Sequence, residues 1–137
     1  MNTYIPTQYD YSKFKLLDKE IGFKTIIFSH TDQTPWAKAF LGNLVKDNNW
    51  KIVYIDSFMV VLVRSDSNLA QIDLNKLNPK DFNYINHASY LRMSFFLLTT
   101  GNIDSGRRFL EKTLQIFPNS PVANSILGNN VKNNFFW

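Results

Sequence analysis

Cysteine is absent from this 137-residue sequence. That excludes disulfides, thiolate metal sites and cysteine nucleophiles, and it leaves the redox compartment open. Histidine is nearly absent. His30 and His87 fall in separate halves of the chain, with no third ligand at a recognisable spacing, so no zinc site is indicated. The five glycines, Gly22, Gly42, Gly101, Gly106 and Gly128, stand singly along the chain. There is no glycine-rich phosphate loop, and no cofactor is implied. No run of Lys or Arg of the kind a phosphate-tracking surface needs occurs. The net charge of +4 divides into eight basic against seven acidic residues up to Ser67 and seven against four beyond it. Such a mild, scattered excess is a solvated surface and does not point to a nucleic-acid partner. The longest apolar run, Phe58 to Val63, has six residues, where a membrane-spanning helix needs about twenty. No transmembrane segment is therefore expected. The opening residues MNTYIPTQYD lack the basic and apolar regions of a signal peptide.

What is present is core material. Hydrophobic residues make up 45%, charged residues 19% and aromatics 15% of the chain, with twelve Phe, which suits a folded protein able to bury a core without staples. The clearest strand signal is Trp50 to Arg64, WKIVYIDSFMVVLVR, two apolar strands meeting at a tight turn near Asp56-Ser57. Ahead of it, Phe14, Leu17 and Ile21 are spaced three then four, which predicts a helix over 11–21 with Asp10 as N-cap and Gly22 as C-cap. Residues 24–29 form an apolar, β-branched strand expected to be buried on both faces. Pro35 opens a helix to about Lys46, capped by Thr34, with Trp36, Ala37, Phe40, Leu41, Leu44 and Val45 on one face.

The predicted fold is α/β: a small three-stranded mixed sheet with two helices over residues 1–67, then a helical segment over 84–137, joined by a linker over 68–83. Strands 24–29 and 50–56 are expected to be parallel neighbours joined by a right-handed crossover, with strand 58–64 adding antiparallel as a hairpin. Beyond the linker the period turns to 3.6. Helices are predicted over 84–100, 103–117 and 121 to about 130, with an irregular lead-in before Asp10 and the final Phe135-Phe136-Trp137 packed back on the core.

Residues His87 to Pro118 resemble one tetratricopeptide repeat. Tyr90 stands at a large position, Ser94 at a small one, Leu97 at the next large one, and Gly101 at the turn between helices. Gly106 stands at the small crossing point, with Leu110, Thr113 and the closing Pro118 following. Leu127-Gly128 keeps the register into the third helix. The physical content is that two antiparallel helices approach closely only where one presents no bulk. The resemblance covers about one and a half units, where stable stacks need at least three. It implies that Leu91, Phe95 and Leu98 line the face that commonly binds ligand. Here they serve either to pack on the preceding α/β half or to form a peptide-binding groove.

The first half resembles the soluble C-terminal part of bacterial multi-spanning glycosyltransferases similar to the dolichyl-phosphate-mannose–protein mannosyltransferase group. The residues that carry this are LLDKEIGFKTIIF, 16 to 28, and FLGNLVKDNNWKIVYIDSFMVVLVR, 40 to 64, with Trp50, Tyr54, Asp56 and Val60 at the marked places. Ser57 replaces the second acid of the family's turn. The resemblance implies a soluble domain on the outer face of a bacterial membrane, partnered by a membrane-embedded transferase core or another protein. In that family the catalytic acids lie in loops between membrane spans, so no catalytic residue carries over.

The residues themselves offer one weak polar cluster, His30, Asp32 and Asp56. His30 and Asp32 follow the first strand, where α/β proteins place functional loops. Three neighbours such as Ser29, His30 and Asp32 on one loop rarely reach triad geometry. Asp56 fits a turn-fixing role. Nothing in the spacing of Asp10, Asp32 and Asp56 demands a metal ion. Three functions follow: a non-catalytic extracytoplasmic domain of a membrane glycosyltransferase-like protein that assists acceptor or partner positioning, a stand-alone protein–protein interaction module, or a small metal-dependent hydrolase. A pocket gathering the polar cluster would favour the last.

Overall fold

The computed structural model describes residues 9–133, so most of the expected lead-in and the whole Phe135-Phe136-Trp137 end lie outside the described residues. The chain forms two compact units, 1–72 and 73–137, which divide the segment expected as a linker between them.

In the first unit Asp10 caps helix α1, Tyr11–Ile21, by accepting the Ser12 N–H. Gly22 ends it at φ 70°, in the left-handed region that favours glycine. Strand β1 is Thr25–Ser29 and helix α2 is Pro35–Lys46. Thr34 occupies the N-cap of α2 but makes no side-chain cap bond. Instead Asp32 accepts from both the Thr34 N–H and hydroxyl. Strands β2, Trp50–Ile55, and β3, Met59–Arg64, follow as a hairpin.

The strand order is β1-β3-β2, and both ladders are antiparallel. The class is the predicted α/β one with three strands, and β3 pairs antiparallel as a hairpin. The pairing of β1 with β2 is corrected: the two run in the same direction, but β3 lies between them, and the sheet is antiparallel throughout. The physical reason lies in β3. Its Val60, Leu62 and Val63 are all buried, and a central strand has both backbone edges paired. Strand β2 carries Lys51 and the half-exposed Tyr54, residues suited to an edge. The outer edge of β2 is partly covered by returning chain, since Ile72 N–H donates to Ile52 O at 2.8 Å.

Burial on both faces of β1 is also corrected, because Ile27 is 62% exposed while Phe28 is buried. The helix-facing side of the unit collects Phe14, Phe28, Phe40, Leu44 and Trp50. Phe40 meets Phe14 edge-on at 5.1 Å between centroids and Phe28 at 5.4 Å. Strand β2 looks continuously apolar because a register shift falls between Ile52 and Tyr54. The bulge lets Ile52 and Ile55, three apart, both be buried.

Arg64 ties this unit together. It pairs across the strands with Trp50, and its guanidinium lies 4.2 Å from the Trp50 ring centroid. Its Nε donates to Phe23 O at 2.7 Å, and its two terminal nitrogens form a fork on the Asp18 carboxylate of α1.

In the second unit two short 3-10 turns, Leu74–Lys76 and Pro79–Asp81, lead to helices α3, His87–Thr99, α4, Ile103–Ile116, and α5, Pro121–Asn133. Helix α3 starts three residues later than the apolar pattern suggests, because Asn86 caps it by accepting the Ser89 N–H. Ile85 is fully exposed, and Tyr84 stacks on Phe82 instead. Gly101 turns the chain at φ 84°. Helices α3 and α4 are antiparallel: Leu98 meets Gly106, Tyr90 lies 6.3 Å from Phe109, and His87 lies 4.7 Å from Phe117. A Cβ on Gly106 would sit 2.7 Å from Leu98 side-chain carbons and 3.1 Å from the Leu98 backbone nitrogen.

Arg64→Ala removes a partly buried fork, a backbone tie and a ring contact, and should cost about 2–3 kcal/mol in urea unfolding. Arg64→Lys should recover only part of this. Gly106→Ala should destabilise by about 1–3 kcal/mol through overpacking, although helix propensity alone favours Ala by about 1 kcal/mol. Gly42→Ala, where a Cβ meets nothing within 4 Å, should instead stabilise.

Candidate functional site

Antiparallel pairing of Ser29 with Met59 brings the end of β1 to the β2–β3 turn. His30 N–H donates to Phe58 O at 3.0 Å, and the buried His30 ring places Nε2 2.7 Å from Asp56 O. A carbonyl only accepts, so Nε2 carries the proton. The Asp56 carboxylate is consumed by its own turn. Oδ1 accepts from Phe58 and Met59 N–H at 2.8 Å each, and Oδ2 accepts from the Tyr54 hydroxyl at 2.8 Å. Burial pushes this carboxyl up, but those donors and nearby His30 outweigh it and hold it below the usual carboxylate range. Asp32 is held low by the Thr34 N–H and hydroxyl.

The structure therefore brings His30 and Asp56 together, but through the Asp56 carbonyl, and engages Asp32 separately with Thr34. Ser29 Oγ contacts Thr31 Oγ1 at 3.0 Å and Phe58 O at 3.5 Å. The nucleophile–base hydrogen bond of a triad is not formed by Ser29. Among the described residues no group of three or more His, Asp or Glu is placed to hold a metal ion. This polar cluster shapes a strand end and a turn.

On the helical unit, Leu98 is fully buried in a cluster with Leu110, Ala123 and Ile126, and Leu91 and Phe95 pack against that same cluster, partly buried. The three therefore join the helices of their own unit. His87 packs its ring on Phe117.

Two features escape the sequence. The first is the open face of the sheet. Cross-strand neighbours Ile27, Val61 and Tyr54 form one row, in which Ile27 and Tyr54 are at least half exposed, and Met59, two residues before Val61 on β3, continues the exposed apolar surface. The expectation that residues 24–29 are buried on both faces hid it. The second is a cleft of about 440 Å³ in the helical unit, lined among others by Lys80, Phe82, Tyr90, Arg108, Glu111 and Lys112. Arg108 and Lys112 stand four residues apart on one face of α4. Like charges at i, i+4 on that face, unfavourable in a helix, were the one available signal. Lys80 joins them only through the fold.

The chain matches no protein-family model, no curated protein and no solved structure.

A carboxylate held low contributes stability that is complete above its unfolded value and is lost as pH falls through its folded value. Stability should therefore decline on acidification below the usual carboxylate range. Asp56→Asn, which forfeits this share, should show a shallower decline as pH falls through and below the usual carboxylate range, read by urea midpoints at each pH.

Proposed function

We propose that this chain is a non-catalytic accessory domain of a membrane glycosyltransferase-like protein, at the extracytoplasmic face of a bacterial membrane, where it assists acceptor or partner positioning. The observation that carries the reading is the open sheet face. Exposed apolar side chains scattered singly are ordinary, but a contiguous patch marks an interaction surface. The row from Ile27 through Val61 to Tyr54 is contiguous across all three strands, and Met59 extends it with 40% exposure. Support also comes from the polar residues that invite chemistry. Asp56 and Asp32 spend their carboxylate oxygens on turn and loop contacts, and the His30 ring is bonded to the turn carbonyl. The sequence likeness over Asp10 to Arg64 supplies the kind of parent. Within that parent, the sheet face contacts the membrane-embedded core or a partner protein docked beside it.

The test is photo-crosslinking from Ile27 or Tyr54 in the native polypeptide, with exposed Glu20 on the helix side as control. The expected capture is a membrane-spanning region or a partner bound to one, from the sheet face and not from Glu20. A reading frame that carries no membrane-spanning region, together with capture of an unrelated protein through the helices, overturns the proposal in favour of a stand-alone interaction module.

A further inference from the structure

We propose that the cleft in the helical unit is a binding site for a phosphate monoester whose phosphate sits among Lys80, Arg108 and Lys112 and whose body packs toward Phe82 and Tyr90. The inference rests on the second unit alone and is independent of the function proposed above.

Charge comes first. Of the cleft's lining residues, Lys80, Arg108 and Lys112 are cationic and Glu111 is the sole acid, a balance of +2. Among the described residues none of these cations pairs with a carboxylate: the ion pairs are Arg64–Asp18 and Lys76–Asp73. Arg108 and Lys112 sit one turn apart on α4, where like charges repel. A bound dianion relieves that repulsion, and a phosphate monoester carries about −1.5 to −2 at pH 7. A single carboxylate would leave about half the charge unmatched.

Geometry comes second. Arg108 is already ordered. Its Nε donates to Leu77 O at 3.3 Å, and its Nη2 donates to Asn75 O at 2.8 Å and Leu77 O at 3.0 Å. Two backbone carbonyls thus fix the plane of the guanidinium, so little side-chain entropy remains to be lost on binding. Nη1 makes no hydrogen bond among the described residues, and its donors are left for a ligand. Lys112 is held loosely, its ammonium 6.0 Å from the Tyr90 ring centroid. Lys80 is exposed and adjusts freely.

Shape comes third. A cleft of about 440 Å³ is larger than a bare phosphate group requires. Phe82 is half-buried, and Tyr90 is fixed by its hydroxyl bond to Phe82 O at 3.1 Å. Their rings supply apolar surface next to the cations, which suits a ligand with a flat or apolar body joined to the phosphate.

The test is a 15N-resolved NMR titration of the full chain at low ionic strength with inorganic phosphate, then phenyl phosphate, with phenol as the uncharged control. Saturable shifts are expected at the amides of 80–82 and 108–112. Phenyl phosphate should bind about tenfold tighter than inorganic phosphate, an increment of about 1.4 kcal/mol, and phenol should cause no such shifts. The double variant Lys80→Gln/Lys112→Gln should retain the native spectrum and lose at least tenfold in affinity. Glu111→Gln should bind more tightly than the parent chain. Vesicles of phosphatidylcholine with and without phosphatidic acid separate the two sources of a monoester. Cosedimentation only with phosphatidic acid, lost in the double variant, assigns the site to a lipid headgroup, and phenyl phosphate binding without cosedimentation assigns it to a free metabolite. Absence of saturable shifts, or shifts unchanged in the double variant, overturns the proposal.

Discussion

The fork between Arg64 and Asp18 is the contact on which the first unit depends. It joins the last residue of β3 to helix α1, while the Nε bond to Phe23 O holds the link between α1 and β1. The same guanidinium lies on the Trp50 ring, and Trp50 sits in the aromatic core with Phe14. One side chain thus connects both ends of the hairpin to the helix that covers it. A guanidinium suits this place because its planar donors satisfy a carboxylate and a carbonyl at once while its face rests on an aromatic ring. A lysine has no such plane.

Around that anchor the sheet resolves a conflict in its own composition. Three apolar strands contain more greasy positions than one covered face can take. The central place goes to β3, whose Val60 and Leu62 are almost completely buried, and the β2 bulge turns Ile52 and Ile55 to the same side. The remainder, Ile27, Tyr54 and Met59, is left on the other face. The exposed patch therefore arises from the way the core is satisfied. The turn beside it is rigid for a separate reason. Asp56 accepts three hydrogen bonds, and His30 locks the turn to the end of β1, so polar atoms that resemble a reactive set are spent on shape.

The helical unit is organised by absence of bulk. Gly106 admits Leu98 to van der Waals contact with the α4 backbone, and the buried side chains around it, Ser94, Ser105 and Thr113, are small. Close approach of the two helices leaves the charged residues of α4 facing the 3-10 turns, where Arg108 is gathered in by two carbonyls. Packing on one side of α4 thereby prepares a basic cleft on another.

The sequence by itself determined most of the local elements. Asp10 and Gly22 mark the ends of α1, Pro35 the start of α2, Asp56-Ser57 the hairpin turn, and Gly101 and Pro121 the breaks between helices. These signals are short-ranged, set by φ preferences and hydrogen bonds within a few residues. The turn-fixing role of Asp56 was legible for the same reason. Strand order was not, because a hairpin's turn is satisfied whether β3 adds outside β2 or slips between β2 and β1. That choice belongs to long-range burial. The start of α3 was misplaced because Tyr84 and Ile85 extend the apolar pattern, while Asn86 supplies the cap that ends it. The cleft was illegible because Lys80 lies 28 positions before Arg108, and only tertiary packing brings a 3-10 turn against the second turn of α4. Local chemistry writes the elements, and the competition for buried surface decides which faces remain open and which charges meet.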